Sequence, residues 1–107
     1  MTTRSKYGNR RSESRDGHTF ASKRERDRYE ELVILQAAGE IHNLALQMRY
    51  PLIVNEAKVG TYVADFIYCH GKGEPTVVED VKGHRTLLYL MKRRLMKAIY
   101  GIEVLET

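Results

Sequence analysis

The sequence predicts one α/β domain with the element order αβββαβ. Three observations carry this. A first helical run lies near residues 22 to 38, three strand-like segments separated by turn signals fill residues 44 to 82, and a clearer helical run spans Leu87 to Tyr100 before a short apolar segment.

Each element follows from its residues. Residues 1 to 18 mix Arg, Ser, Gly and Asn with almost no apolar side chains, which reads as a flexible basic arm; residues 19 to 107 form the domain. Ser22 is a good N-cap, Glu25 stands three residues on, and Tyr29, Leu32, Val33 and Gln36 recur at helical spacing until Gly39 stops the run. Leu44, Leu46, Met48, Tyr50, Leu52 and Val54 then alternate as a strand, with Pro51 implying an edge, a bend or a bulge. A turn is expected over Asn55 to Gly60. A second strand follows over residues 61 to 69, a Gly-rich turn over His70 to Pro75, and a third strand over residues 76 to 82. From Leu87 to Tyr100 the apolar positions repeat with helical period and Gly101 ends the helix. Ile102 to Leu105 reads as a last strand, which after a helix packs parallel to an earlier one, giving a mixed sheet.

Composition narrows the functional classes. With 107 residues there is room for one core and one active site. A mean hydropathy of −0.49 and the lack of any long apolar run exclude a helical membrane span, and the polar start excludes a secretory signal. One cysteine, Cys69, precludes an internal disulfide and suits a reducing cytoplasm. The 18 Lys and Arg against 14 Asp and Glu give a net charge of +4, pointing to a polyanionic partner. The positive charge gathers in the arm at Arg4, Lys6, Arg10 and Arg11, and around the second helix at Arg85, Lys92, Arg93 and Lys97, which reads either as a polyanion-binding surface or as a solvated tail and a solvated helix face.

The chemistry-bearing residues stand in the strands. Asp65 lies mid-strand among apolar neighbours, where an uncompensated carboxylate costs several kcal/mol. Asp80 and Lys82, two apart, share a strand face, while Glu79 projects from the other and would replace Asp80 only if the register shifted by one. If the second and third strands pair, Asp65 and Asp80 converge with Lys82 beside them. Converging carboxylates need a proton or a divalent cation between them, and oxygen ligands favour Mg²⁺ or Mn²⁺. The competing reading is a set of strand-borne ion pairs. Glu25 falls on the inward stripe of the first helix, where it can serve the site, a capping box with Ser22, or both. Gln47 is a weak candidate for supporting the site and reads better as a solvated strand residue. The four scattered His residues do not form a zinc motif, and Gly71-Lys72-Gly73 does not open a helix as a phosphate loop would.

Helix with Glu25, strand with Asp65, hairpin strand with Asp80-Val81-Lys82 and then a basic helix: in this order the chain resembles the PD-(D/E)XK nuclease superfamily over residues 20 to 106. It is similar to short bacteriophage proteins of a domain-of-unknown-function family described as endonuclease-like. The resemblance rests on Tyr7-Gly8-Asn9, Phe20-Ala21-Ser22-Lys23-Arg24-Glu25, Tyr62-Val63-Ala64-Asp65-Phe66, Val78-Glu79-Asp80-Val81-Lys82-Gly83 and Tyr100-Gly101-Ile102. A more distant similarity, to phage Holliday-junction endonucleases, lies in Phe-x-Ser-x-x-Glu, a later Asp-Phe and an acid-x-Lys. The resemblance implies a restriction-endonuclease-like αβββαβ core. It also implies a metal-dependent DNA endonuclease with Glu25, Asp65 and Asp80 as Mg²⁺ or Mn²⁺ ligands, the Val81 carbonyl as a further ligand and Lys82 as the catalytic lysine. It further implies a structure-selective, phage-encoded enzyme of the bacterial host cytoplasm that acts on branched or junction DNA as a homodimer. Ala64 replaces the family's proline and Asp80 the commoner glutamate, and neither change removes a ligand oxygen.

Overall fold

The computed structural model describes residues 11–107 and realises the expected order behind an N-terminal hairpin. That hairpin pairs β1 (Ser12–Glu13) with β2 (Thr19–Phe20) antiparallel. It is followed by α1 (Lys23–Ala37), β3 (His42–Val54), β4 (Ala57–Cys69), β5 (Thr76–Asp80), α2 (Leu87–Tyr100) and β6 (Leu105–Glu106). The main sheet runs β3-β4-β5-β6, antiparallel except for the parallel β5–β6 pair that α2 connects. Among the described residues no helix is long and apolar enough to cross a membrane.

Local chemistry explains the boundaries. The Ser22 hydroxyl accepts from the Glu25 backbone N–H to start α1, and the Thr86 hydroxyl accepts from the Tyr89 N–H to start α2. Gly101, at φ 69, closes α2 in the left-handed conformation that glycine adopts without strain. Pro51 is accommodated because β3 is an edge strand.

Four expectations need correction, the simplest being that the last strand, expected over Ile102 to Leu105, pairs only at Leu105–Glu106. The turn after β3 is only Asn55-Glu56, both at positive φ as a two-residue hairpin turn requires, so Ala57 to Gly60 already belong to β4. Pairing with β6 keeps the chain extended past Asp80, through Thr107 N–H to the Asp80 carbonyl and Lys82 N–H to the Thr107 carbonyl, although β5 itself ends at Asp80. From Ser12 on, the stretch expected as an arm forms the hairpin, while Arg4, Lys6 and Arg10 lie outside the described residues.

Two cores flank the sheet. Phe20, Tyr29, Leu32, Ile41, Phe66 and Tyr68 pack on the α1 side. Leu52, Tyr62, Ala64, Val78 and Met96 pack on the α2 side. Adjacent residues such as Val77 and Val78 join different cores, so the helices cover opposite faces. In a regular strand Tyr62, Ala64, Phe66 and Tyr68 would share one face. Here the first two join the α2 core and the last two the α1 core, so β4 rolls over at Asp65. Its neighbour does the same: Leu44 and Leu46 pack towards α1, Tyr50 and Leu52 towards α2, with Gln47 at φ 52 in between. Across this point the two strands keep their register, from Leu46 opposite Phe66 to Met48 opposite Ala64, but Gln47 and Asp65 are not paired.

Candidate active site

The site forms where β4 and β5 part. Their ladder ends at Phe66 opposite Glu79, and the next pair of residues exchanges side-chain bonds instead. The Asp65 backbone N–H donates to Asp80 Oδ1 at 2.9 Å, and the Val81 N–H donates to Asp65 Oδ2 at 2.9 Å. Each carboxylate therefore holds the other strand's backbone. Asp80 is only 1% exposed, and its second oxygen, Oδ2, is buried with no hydrogen-bond partner. A buried carboxylate oxygen without a partner costs free energy and is a natural place for a cation or a proton.

Glu25 approaches from α1. Ser22 and Glu25 make only half of a capping box: the Ser22 oxygen accepts the Glu25 N–H, while the buried Glu25 carboxyl interacts electrostatically with Asp65, Lys82 and Asp80. Burial and then the Asp65 charge push the Glu25 carboxyl up to about 7, against the pull of Lys82. Burial likewise raises Asp65 and Asp80, opposed in each case by a backbone N–H and by Lys82. Lys82 thus offsets the charge of all three acids. Its Nζ lies 4.4 Å from the centre of the Tyr89 ring of α2, which braces the ammonium. The four residues expected to form the site come together. Among the described residues no three acidic, histidine or cysteine side chains already sit close enough to enclose an ion.

Glu79, the alternative to Asp80, has a different role. Fully buried on the α1 face, it accepts from Arg28 Nε at 2.7 Å and Nη2 at 3.0 Å, from the Tyr68 hydroxyl at 2.6 Å and from Thr107 Oγ1 at 2.9 Å. Every lone-pair direction is used, and the bidentate Arg28 holds Glu79 below the usual carboxylate range.

A cleft of about 530 Å³ opens beside Glu25 and Asp65, with Gln47, Arg11 and His18 in its walls. Gln47, which read better as a solvated strand residue than as a supporting one, lines the site and favours the ionised form of Asp65. The place of Arg11 and His18 was not foreseen, since it depends on the hairpin; Asp16-Gly17, a tight-turn dipeptide, was the available signal. Around α2, Arg85 and Arg93 pair with Glu106, Lys97 pairs with Glu103 and Lys92 lies against Gly60.

A family model described as "Protein of unknown function (DUF1064)" matches residues 4–105. The chain belongs to the DUF1064 family. The matched span of this DUF1064 chain includes Glu25, Asp65, Asp80 and Lys82. Neither the curated proteins nor the solved structures contain a match to it.

Proposed function

We propose that this chain is a divalent-metal-dependent DNA endonuclease of the PD-(D/E)XK type, hydrolysing phosphodiester bonds in branched or junction DNA. The observation that carries the reading is the gathering of Glu25, Asp65, Asp80 and Lys82 at the opened end of the β4–β5 ladder, with Asp80 Oδ2 buried and unpartnered.

The donor set fits Mg²⁺ or Mn²⁺: three carboxylates and the Val81 carbonyl next to Asp80, all of them oxygens. Glu25, Asp65, Asp80 and Val81 would hold the ion. When bound, it supplies Lewis acidity to a water and offsets charge on the phosphate. The remaining work falls to the chain itself. The mutual backbone bonds of Asp65 and Asp80 fix both carboxylates before substrate arrives, so little reorganisation is left to the reaction. Lys82, steadied on Tyr89, orients the attacking water and balances negative charge developing on the phosphate oxygens. Arg85, Lys92, Arg93 and Lys97 would contact the DNA backbone from the α2 side, as would the N-terminal Arg4, Lys6 and Arg10. A small module has little surface for reading bases, which favours recognition of DNA shape, and a two-fold dimer would allow paired cuts at a junction. Such an enzyme would act in phage recombination or DNA processing in the bacterial cytoplasm.

Cleavage of a labelled four-way junction, a matched duplex and a single strand, with Mg²⁺, Mn²⁺ or EDTA, tests this. Metal-dependent cutting by the wild type that disappears in Asp80→Asn is the expected result. Wild-type protein that binds these DNAs and cuts none of them would refute it.

A further inference from the structure

The cleft beside Glu25 has a second wall made by the β1–β2 hairpin. From this wall we infer a contact surface for one nucleic-acid strand: Arg11 and His18 hold its phosphates opposite Glu25 and Asp65. The inference rests on the nuclease reading and adds the strand's path.

The wall is braced against α1. Ser14, 4% exposed, takes the His18 backbone N–H at 3.1 Å and hydrogen-bonds Asp16, closing the loop. Asp16 in turn accepts from the Tyr29 hydroxyl on α1, and Arg15 reaches Glu30. The His18 ring stands edge-on to Tyr29 with centroids 5.3 Å apart, and its Nε2 lies 4.0 Å from Asp16 Oδ2. Phe20, at the end of the hairpin, is buried beside Tyr29 and Phe66. The loop is thereby tied to the helix that carries Glu25, so His18 keeps a set position relative to the acids, with Arg11 one residue before β1. A wall of hydrogen-bond donors facing carboxylates that would hold the ion suits a phosphodiester, whose oxygens need donors on one side and a counter-ion on the other. At about 530 Å³ the cleft is on the scale of a single-ligand pocket, which matches a nucleotide or two of one strand. Branched DNA, which exposes such a strand, would be favoured over a blunt helix.

The test measures binding without turnover: fluorescence anisotropy of a labelled single strand, a forked duplex and a blunt duplex in EDTA across a salt series. The wild type should prefer the first two. Arg11→Ala should weaken their binding roughly tenfold and lower the salt slope by about 0.7 per lost phosphate contact, while Arg11→Lys restores much of both. His18→Ala should act in the same direction, with its melting temperature checked because the ring packs on Tyr29. Unchanged affinity and slope in Arg11→Ala, or tighter wild-type binding to blunt duplex, would overturn the inference while metal-dependent cleavage still upheld the nuclease reading. Failure of the wild type to cut any DNA that it binds would overturn that reading instead, and failure to bind any of the three would overturn both.

Discussion

Replacing Glu25 with Gln should make the protein more stable, and only at neutral to alkaline pH. The carboxyl is buried on α1, and its surroundings push it from the ordinary 4.5 up to about 7, first by burial and then by the Asp65 charge, with Asp80 adding to this and Lys82 opposing it. At about 1.4 kcal/mol per unit, such a shift corresponds to roughly 3 kcal/mol, and partial solvent contact reduces this to about 2 kcal/mol. Below pH about 4.5 the group is protonated in both folded and unfolded chains and costs nothing. As pH rises from there to about 7, the unfolded chain releases the proton and the folded one keeps it, so stability falls, and the full cost applies above that window. Gln mimics the neutral acid and removes the cost.

Thermal unfolding in EDTA should therefore show Glu25→Gln matching the wild type near pH 4.5 and exceeding it by roughly 8 °C at pH 8. Mg²⁺ or Mn²⁺ should raise the wild-type melting temperature at pH 8, because a cation binds the ionised carboxylates of the folded state, and should do less for the Gln variant. No gain at pH 8, or the same gain at both pH values, would refute the account of Glu25 as a carboxyl strained by its neighbours.

Asp80→Asn should abolish cleavage by at least a hundredfold with DNA affinity kept or improved, as nuclease and anisotropy assays would record, since it removes a charge that repels phosphate. Glu79→Gln should retain metal-dependent cleavage although its residue is the more buried of the two, and a cleavage loss equal to that of Asp80→Asn would reverse their roles. Arg28→Ala should cost roughly 3 to 5 kcal/mol in chemical denaturation, because Glu79 would be left charged and buried without its bidentate partner. Glu56→Gly should stabilise the β3–β4 hairpin by about 0.5 to 1 kcal/mol, since Glu56 holds φ 69 in the turn, where glycine is unstrained.

The elements were legible where periodicity is long and caps are strong. α2 spans Leu87–Tyr100 as expected, and α1 differs by a residue at each end. The hairpin at Ser12–Phe20 was hidden because its two short strands hold one apolar residue, Phe20, and owe their stability to the Ser14, Asp16 and Tyr29 hydrogen bonds, which no periodicity reports. The early start of β4 was hidden because Asn55-Glu56 lacks the glycine that marks a two-residue turn. For the site, two-residue spacing put Asp80 and Glu79 on opposite strand faces, and in the structure they meet different partners, Asp65 and Arg28, while burial chemistry pointed to Asp65. Nothing in the spacing indicated that Asp65 and Asp80 would bond each other's strand, since that requires the ladder to stop at Phe66 and Glu79.

The rollover of β4 at Asp65 links fold to site. With unbroken alternation, Asp65 would face one helix layer alone, and residues from the other layer would be shielded by the sheet. Because the strand turns over there, with Gln47 in the left-handed region across from it, Asp65 stands at a crossing between faces. Glu25 reaches it from α1, while Lys82 reaches it braced on Tyr89 of α2. The same opening leaves two backbone N–H groups without strand partners, and the carboxylates of Asp65 and Asp80 satisfy them. The two acids thus offset the cost of the break that brings the four residues together, so replacing either by an apolar residue should loosen the sheet end as well as silence the site.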